Sequence, residues 1–401
     1  MPESTCASRL RAAHRIFAAA SAAVAAAAAI LVAAGDAAAQ AEITIRGTSK
    51  HVISVANFSG SGGADAANIV RADLAKSGFF NIAPNPSGVY SALGGVNGSA
   101  LAGTLRSPDG KELFSRRYAG PDLRRNAHTF AADIVAEVTG VRGIANSQIA
   151  FVAGGSGNKE IYLCDYDGAN VRKVTRDGKI SVSPSISPDG SQIAYTSYRS
   201  GFPDIYLIDL RSGSRSRIIN APGTNSGAAI SPDGKKIALT MSWPGNPELF
   251  VTGMGGGKGK RLTNTPGVES SPTWSPDGRS LIFTGDSGGR PLLYKMSSGG
   301  GGPQRLSVGY NYCTEPNWSP DGKRLAFNIR QGGSHAVAVY DFASGRSKIV
   351  ASGGAEDPCW GPDSRHLVFA QSGGLVVLDV DSGARRSIVS GMGASEPSWT
   401  R

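Results

Sequence analysis

The tetrapeptide Ser-Pro-Asp-Gly recurs at residues 187–190, 231–234, 275–278 and 319–322, each copy 44 residues after the one before. A degenerate fifth copy, Gly-Pro-Asp-Ser, follows at 361–364. A fixed period of this length restricts a chain to architectures in which each unit buries its apolar face against the next. Two positions after each turn comes an apolar triplet, such as Ile193-Ala194-Tyr195, Ile237-Ala238-Leu239 or Leu281-Ile282-Phe283. A sixth triplet, Ile149-Ala150-Phe151, precedes the first turn by the same period and has no such tetrapeptide ahead of it.

Each unit parses into four short strands. Pro favours the first central position of a turn and Gly the left-handed one, so the tetrapeptide joins a first strand to the apolar triplet as a hairpin. Loops containing Gly or Pro then lead to a third strand (204–209, 292–296) and a basic-apolar fourth one (260–263). Four strands in this span match a propeller blade. The first triplet lacks a leading strand, whereas residues 396–400 form a leading strand with nothing after it. Joining the two closes the ring and removes the exposed sheet edges that promote aggregation. The expected fold is therefore two-domain, a small N-terminal α/β lobe followed by a six-bladed all-β propeller closed by the C-terminal strand.

Ahead of the repeats, the first 41 residues read as an export signal. Arg9, Arg11 and Arg15 precede an uncharged, alanine-rich run over 16–34, and Ala39-Gln40-Ala41 offers a cleavage site before Glu42. Residues 42–145 form the lobe and 146–401 the propeller. Within the lobe, strands are expected at 42–46, 51–58 and 79–83, helices at 64–76 and 121–138, and a hairpin of 100–106 with 112–118. A further Ser-Pro-Asp-Gly at 107–110 supplies that hairpin's turn, outside the repeat register.

The formal net charge is +10. Lys and Arg are scattered through turns without long clusters, which reads as a solvated basic surface and not as a nucleic-acid site. Once the signal is removed, Cys164, Cys313 and Cys359 remain, allowing at most one disulfide; whether Cys313 and Cys359 pair is left open. No cysteine or histidine has metal-ligand spacing, and neither a cofactor nor a metal is expected. Gly285-Asp286-Ser287-Gly288-Gly289 fits a nucleophile-elbow pattern, but no helix follows it, as that motif requires. It reads as a loop of the fourth blade. The Asp of each repeated turn reads as a turn cap, and Trp274, Trp318, Trp360 and Trp399 as packing between blades.

The segments entering the first strands, at 224–228, 269–271, 313–316, 356–358 and 395–397, would ring one end of the central channel. Acidic residues recur there in a basic chain: Glu269, Glu315, Glu356, Asp357 and Glu396, with Thr314 beside them. That contrast reads as a mouth for a partially positive or hydrogen-bonding peptide.

An exported chain with a small α/β lobe followed by Pro-x-Trp-Ser-Pro-Asp-Gly repeats resembles the TolB family of the Tol-Pal system. The segment Ile69-Val70-Arg71-Ala72-Asp73-Leu74-Ala75-Lys76-Ser77-Gly78-Phe79-Phe80 is the more specific part of the likeness. The resemblance implies a periplasmic, non-enzymatic adaptor acting in outer-membrane integrity and in constriction at division. It implies binding of the peptidoglycan-associated lipoprotein Pal at the propeller mouth, a role carried onto Thr224, Asn225, Gly227 and Ser270. It also implies contact of TolA with the mature N-terminus: Glu42, Ile43, Thr44, Ile45 and Arg46. A monomer that meets membranes only through partners, without nucleic acid, is expected. The chain departs from the family where His-Asn-Gly and Pro often stand in the stretch 224–228, and the lobe looks shortened between Pro84 and Leu101. The alternatives are an exported glycan- or peptide-binding propeller, or a propeller relative of prolyl-oligopeptidase-type hydrolases lacking the catalytic domain.

Overall fold

A computed structural model describes residues 49–400 except 156 and 244. The expected signal segment, and the strand expected at 42–46, lie outside the described residues.

The lobe is a five-stranded sheet in the spatial order Phe80–Ala83, His51–Val55, Tyr90–Asn97, Ala100–Arg106 and Glu112–Tyr118. His51–Val55 runs parallel to both of its neighbours, and the later pairs are antiparallel. Parallel neighbours need a crossover, and the helix Gly63–Lys76 supplies it between His51–Val55 and Phe80–Ala83. The second helix, Leu123–Thr139, starts where the Asp122 carboxylate accepts the Arg125 N–H at 2.8 Å and stops at left-handed Gly140. Ser107–Gly110 forms the expected hairpin turn.

Tyr90–Asn97 was not anticipated from the sequence, although it occupies the middle of this sheet. Its segment, Tyr-Ser-Ala-Leu-Gly-Gly-Val-Asn, lacks the β-branched run that marks a strand. The glycine has a packing reason: a Cβ on Gly94 would lie 2.8 Å from the Phe58 ring. Close approach of a neighbour is what glycine inside a strand permits.

The described residues beyond the lobe form six four-stranded antiparallel sheets. Their innermost strands are Ser181–Ile186, Asn225–Ile230, Glu269–Trp274, Cys313–Trp318 and Glu356–Trp360 in blades 2 to 6, and Ser395–Trp399 in blade 1. Ser395–Trp399 pairs with Gln148–Gly155, so the last strand of the chain completes the first blade. The repeated turns are self-capped. In blade 2, Asp189 accepts from Ser187 Oγ at 2.5 Å and from the Ser191 N–H at 3.0 Å, and the Gly190 N–H donates to the Ser187 carbonyl. Blades 3, 4 and 5 repeat this arrangement at Asp233, Asp277 and Asp321. Trp274 Nε1 donates across the blade boundary to the Ala229 carbonyl.

The degenerate turn has a structural cause. Residues 361–370 are buried throughout, because the lobe sits on this part of blade 6. The Arg365 guanidinium forms a buried ion pair with Asp379 at 2.8 Å and lies 4.7 Å over the Phe79 ring of the lobe. Gly78 is left-handed (φ 75°), and a Cβ there would lie 2.6 Å from Asp379. A second polar contact joins Asp73 of the first lobe helix to His128 at 2.6 Å and to the Tyr166 hydroxyl of blade 1. One continuous apolar core runs from Ile53, Leu74 and Phe130 in the lobe to Phe151, Val377 and Trp399 in blades 1 and 6. Cys164, Cys313 and Cys359 stand as separate buried thiols, so Cys313 and Cys359 form no disulfide. Among the described residues, no helix is long and apolar enough to cross a membrane.

Candidate functional site

Every innermost strand contains a bulge at the same place. The register against the second strand slips in all six blades, for example between Ser270 and Thr273 and between Thr314 and Asn317. At the equivalent repeat position in each blade one residue is left-handed: Ser183 (φ 51°), Gly227 (63°), Ser271 (50°), Glu315 (51°), Asp357 (56°) and Glu396 (50°). In five blades the next residue is proline, which has no N–H to offer a ladder and is tolerated at a bulge. A left-handed non-glycine residue costs roughly 1–2 kcal/mol. Five such residues at equivalent positions form a built feature, and strain of this kind concentrates at functional sites.

These six residues line one cavity of about 200 Å³ in the central channel. The ring is one-sided: blades 5, 6 and 1 contribute Glu315, Asp357 and Glu396, whereas blades 2, 3 and 4 contribute Ser183, Gly227 and Ser271. Side chains link successive blades around the acidic half. Asp357 accepts the Glu396 N–H at 2.9 Å, and Glu396 accepts the Ser183 N–H at 2.7 Å and its hydroxyl at 3.1 Å. Asn328 donates to Glu315 at 2.5 Å. Burial, followed by the hydrogen bond and charge of Asp357, pushes the Glu315 carboxyl up to about 10. Burial and the Asp357 charge also raise Glu396, against the Ser183 hydrogen bonds that hold it down. The half-ring therefore carries fewer negative charges at neutral pH than its three carboxyls. It offers both hydrogen-bond donors and acceptors to whatever enters.

The other expected mouth residues fall into distinct places. Thr224 is exposed, and Ser270 and Thr314 are half-buried at the second position of their strands or just before one. Glu356, the first residue of its strand, pairs with His335. Asn225 is wholly buried and bonds the Ala221 carbonyl at 2.7 Å and the Pro203 carbonyl at 3.3 Å, so it holds the mouth loops and does not face a partner. Glu269 is 1% exposed and lies between blades 3 and 4 against Glu248. Ser271 lay inside the expected segment 269–271 without being named as a contact, and Ser183, with the whole entering segment of blade 2, was not among the expected mouth residues. Strict application of the repeat register would have found it, since Ser183-Pro184 aligns with Glu315-Pro316. The loop containing Ser287 joins two strands, Ser280–Gly285 and Leu292–Ser297, and the Ser287 hydroxyl donates to Thr265 at 3.2 Å.

A family model, the TolB beta propeller domain, matches residues 135–401. The chain belongs to the TolB β-propeller family. A Tol-Pal system protein TolB of Geobacter sulfurreducens is 34% identical over 186 residues, covering 37% of this chain and 43% of that protein. A protein TolB homolog of Chlorobium chlorochromatii is 36% identical over 155 residues, covering 31% of this chain and 35% of the relative. The chain thus spans less than half the length of these curated relatives. The crystal structure of TolB from Acinetobacter baumannii superposes with a TM-score of 0.76 at 26% identity, over 88% of this chain and 97% of that one. The TolB likeness therefore extends beyond the propeller into the lobe. A nidogen/laminin complex also matches, with a TM-score of 0.54 at 14% identity over 64% of this chain and 98% of that one, and shares the fold alone.

Proposed function

We propose that this protein is a periplasmic, non-enzymatic adaptor of the Tol-Pal system. Its propeller mouth binds the peptidoglycan-associated lipoprotein Pal, and its mature N-terminal segment, residues 42–46 and those just after, binds TolA. The adaptor thereby couples an outer-membrane lipoprotein to an inner-membrane complex during constriction and maintains outer-membrane integrity. The observation that carries this reading is the strained, one-sided ring of Glu315, Asp357 and Glu396 in a TolB-family propeller, opening beside Thr224 and Ser270. Five strained positions converging on one cavity support a binding role. The mixed donor and acceptor character of the ring suits a polypeptide segment.

Thr224 and Ser270 are the side chains to test, because Asn225 is structural. In a binding measurement with the soluble domain of Pal, Thr224→Ala with Ser270→Ala should weaken affinity by roughly 10-fold or more, without lowering the melting temperature. Failure of the native protein to bind Pal would replace this reading with the glycan- or peptide-binding propeller. Deleting residues 42–49 should abolish TolA binding and leave the unfolding transition of the propeller unchanged. Loss of folding on that deletion would contradict a separable segment.

A further inference from the structure

The mouth has a second asymmetry, outside the channel. Tyr198 (38% exposed), Phe202 (71%), Trp243 (53%) and Val268 (40%) are among the few large apolar side chains that the described residues leave exposed. All four lie on loops at the end of the propeller where the innermost strands begin, and only in blades 2 to 4. Hydrogen bonds place the two loops that carry the most exposed rings side by side. Asn225 donates its N–H to the Pro203 carbonyl at 3.1 Å, beside Phe202. Thr224, the preceding residue, takes the Ser242 N–H on its carbonyl at 3.0 Å, beside Trp243. Thr224 therefore stands between the two aromatic loops.

The charge on these loops has one sign. The exposed charged residues of blades 2 to 4 at this end are Arg176, Lys179, Arg199 and Arg290. The carboxylates nearby are turned inward or shielded: Asp177 is buried against Arg215, and Asp204 is buried with Arg217 beside it. Asp286 accepts the Val268 N–H at 2.6 Å. Exposed aromatic rings framed by arginine are the composition of an interaction hot spot. The Trp243 ring leans on Phe250 with centroids 6.2 Å apart, yet about half of it stays open to solvent, and Phe202 is more exposed still.

We infer that this aromatic, cationic rim of blades 2 to 4 docks a partner protein whose matching face carries apolar side chains framed by carboxylates, so that the partner sits off-centre over Phe202 and Trp243. The inference rests on the proposed mouth-binding role and adds the chemistry and position of the contact. The net positive charge selects an acidic apolar face and disfavours a second copy of this rim, which would repel it.

The test places a photo-activated cross-linking residue at Phe202 in one variant and at Ser270 in another, in cells producing the full chain and Pal. A parallel measurement compares the affinity of native protein and of Phe202→Ser with Trp243→Ser for the soluble domain of Pal. The expected results are cross-linking to Pal from both positions and a loss of at least roughly 30-fold in affinity for the double variant. Arg199→Glu with Arg290→Glu should slow association roughly 10-fold at low salt and flatten its salt dependence. Cross-linking from Ser270 alone, with unchanged affinity in the double variant, would overturn the rim and leave the proposed function standing. Cross-linking of Phe202 to a second copy of the chain would also overturn it. Absence of Pal from both positions, with no binding by native protein, would remove both readings together. Unchanged melting curves for the serine variants, expected for exposed side chains, separate contact loss from misfolding.

Discussion

Replacing Trp399 by alanine should destabilise the protein by about 3–5 kcal/mol, the range for truncating a buried tryptophan. Trp399 is 2% exposed and belongs to the strand that closes the ring. Its indole donates to Ser147 Oγ at 2.7 Å, and its backbone N–H donates to Cys359 Sγ at 3.3 Å. The indole thus ties the last strand to the segment that enters blade 1, while the backbone N–H, which alanine keeps, ties it to blade 6. It also belongs to the core shared by the lobe and blades 1 and 6, so the cavity left behind opens onto both the ring seam and the lobe contact. Loss of the indole further leaves the buried Ser147 hydroxyl without this donor, a cost of roughly 1 kcal/mol more. Trp318→Ala is the control, since Trp318 donates to Gly322 within its own blade and lies far from the seam in sequence. Urea denaturation should show the larger loss for Trp399. A Trp399 variant within 1 kcal/mol of native would mean that the seam is not held by this strand.

The seam was legible because it follows from counting. Six apolar triplets with five internal leading strands leave one vacancy, and the C-terminal strand fills it. The blade turns were legible for a related reason: Ser, Pro, Asp and Gly each have one dominant use in a tight turn, so local chemistry and fold agree. The channel ring was legible only in part. Its strain falls on Glu315, Asp357 and Glu396, residues that do not announce a left-handed backbone as glycine does at Gly227. The carboxylates were noticed for their charge, and the bulge that aims them could not be. Glu269 shows the opposite error. It stands at the repeat position that Ser181, Asn225, Cys313, Ala355 and Ala394 occupy in the other blades, all buried, so its charge in the sequence gave no clue that it faces inward. Phe202 and Trp243 went unremarked because a lone aromatic in a loop carries no pattern. Only the hydrogen bonds through Thr224 and Asn225 bring the two loops together.

Glu269→Gln should make the protein more stable than native above neutral pH, and the repeat itself explains why. At the junction of blades 2 and 3, the buried acid Asp204 meets the Asn225 amide at 3.3 Å. At the next junction the equivalent acid, Glu248, meets Glu269, a carboxyl in place of an amide. Glu248 Oε1 is held by Arg261 at 2.8 Å and by the Thr265 N–H at 3.0 Å, and Glu269 Oε1 by the Thr265 hydroxyl at 2.6 Å. The remaining oxygens, Oε2 of each, are buried with no other donor among the described residues. A proton held on Glu269 and shared with Glu248 satisfies both. Burial, then the neighbouring Glu248, pushes Glu269 up to about 7, whereas hydrogen bonds to Thr263 and Arg261 outweigh burial and lower Glu248. The native state therefore binds this proton more tightly than the unfolded chain does. Its contribution is complete below about pH 4.5, declines as pH rises from there through about 7, and is absent above. At roughly 1.4 kcal/mol per tenfold change in proton affinity, the loss is on the order of 3 kcal/mol. Glutamine keeps the acceptor for Thr265 and a permanent donor toward Glu248, so it should remove the decline. Native and variant should unfold at similar denaturant concentrations at pH 5, and the variant at the higher concentration at pH 8.5. Parallel stability curves between those two values would mean that no proton is shared at this junction and that both carboxylates are ionised in the fold.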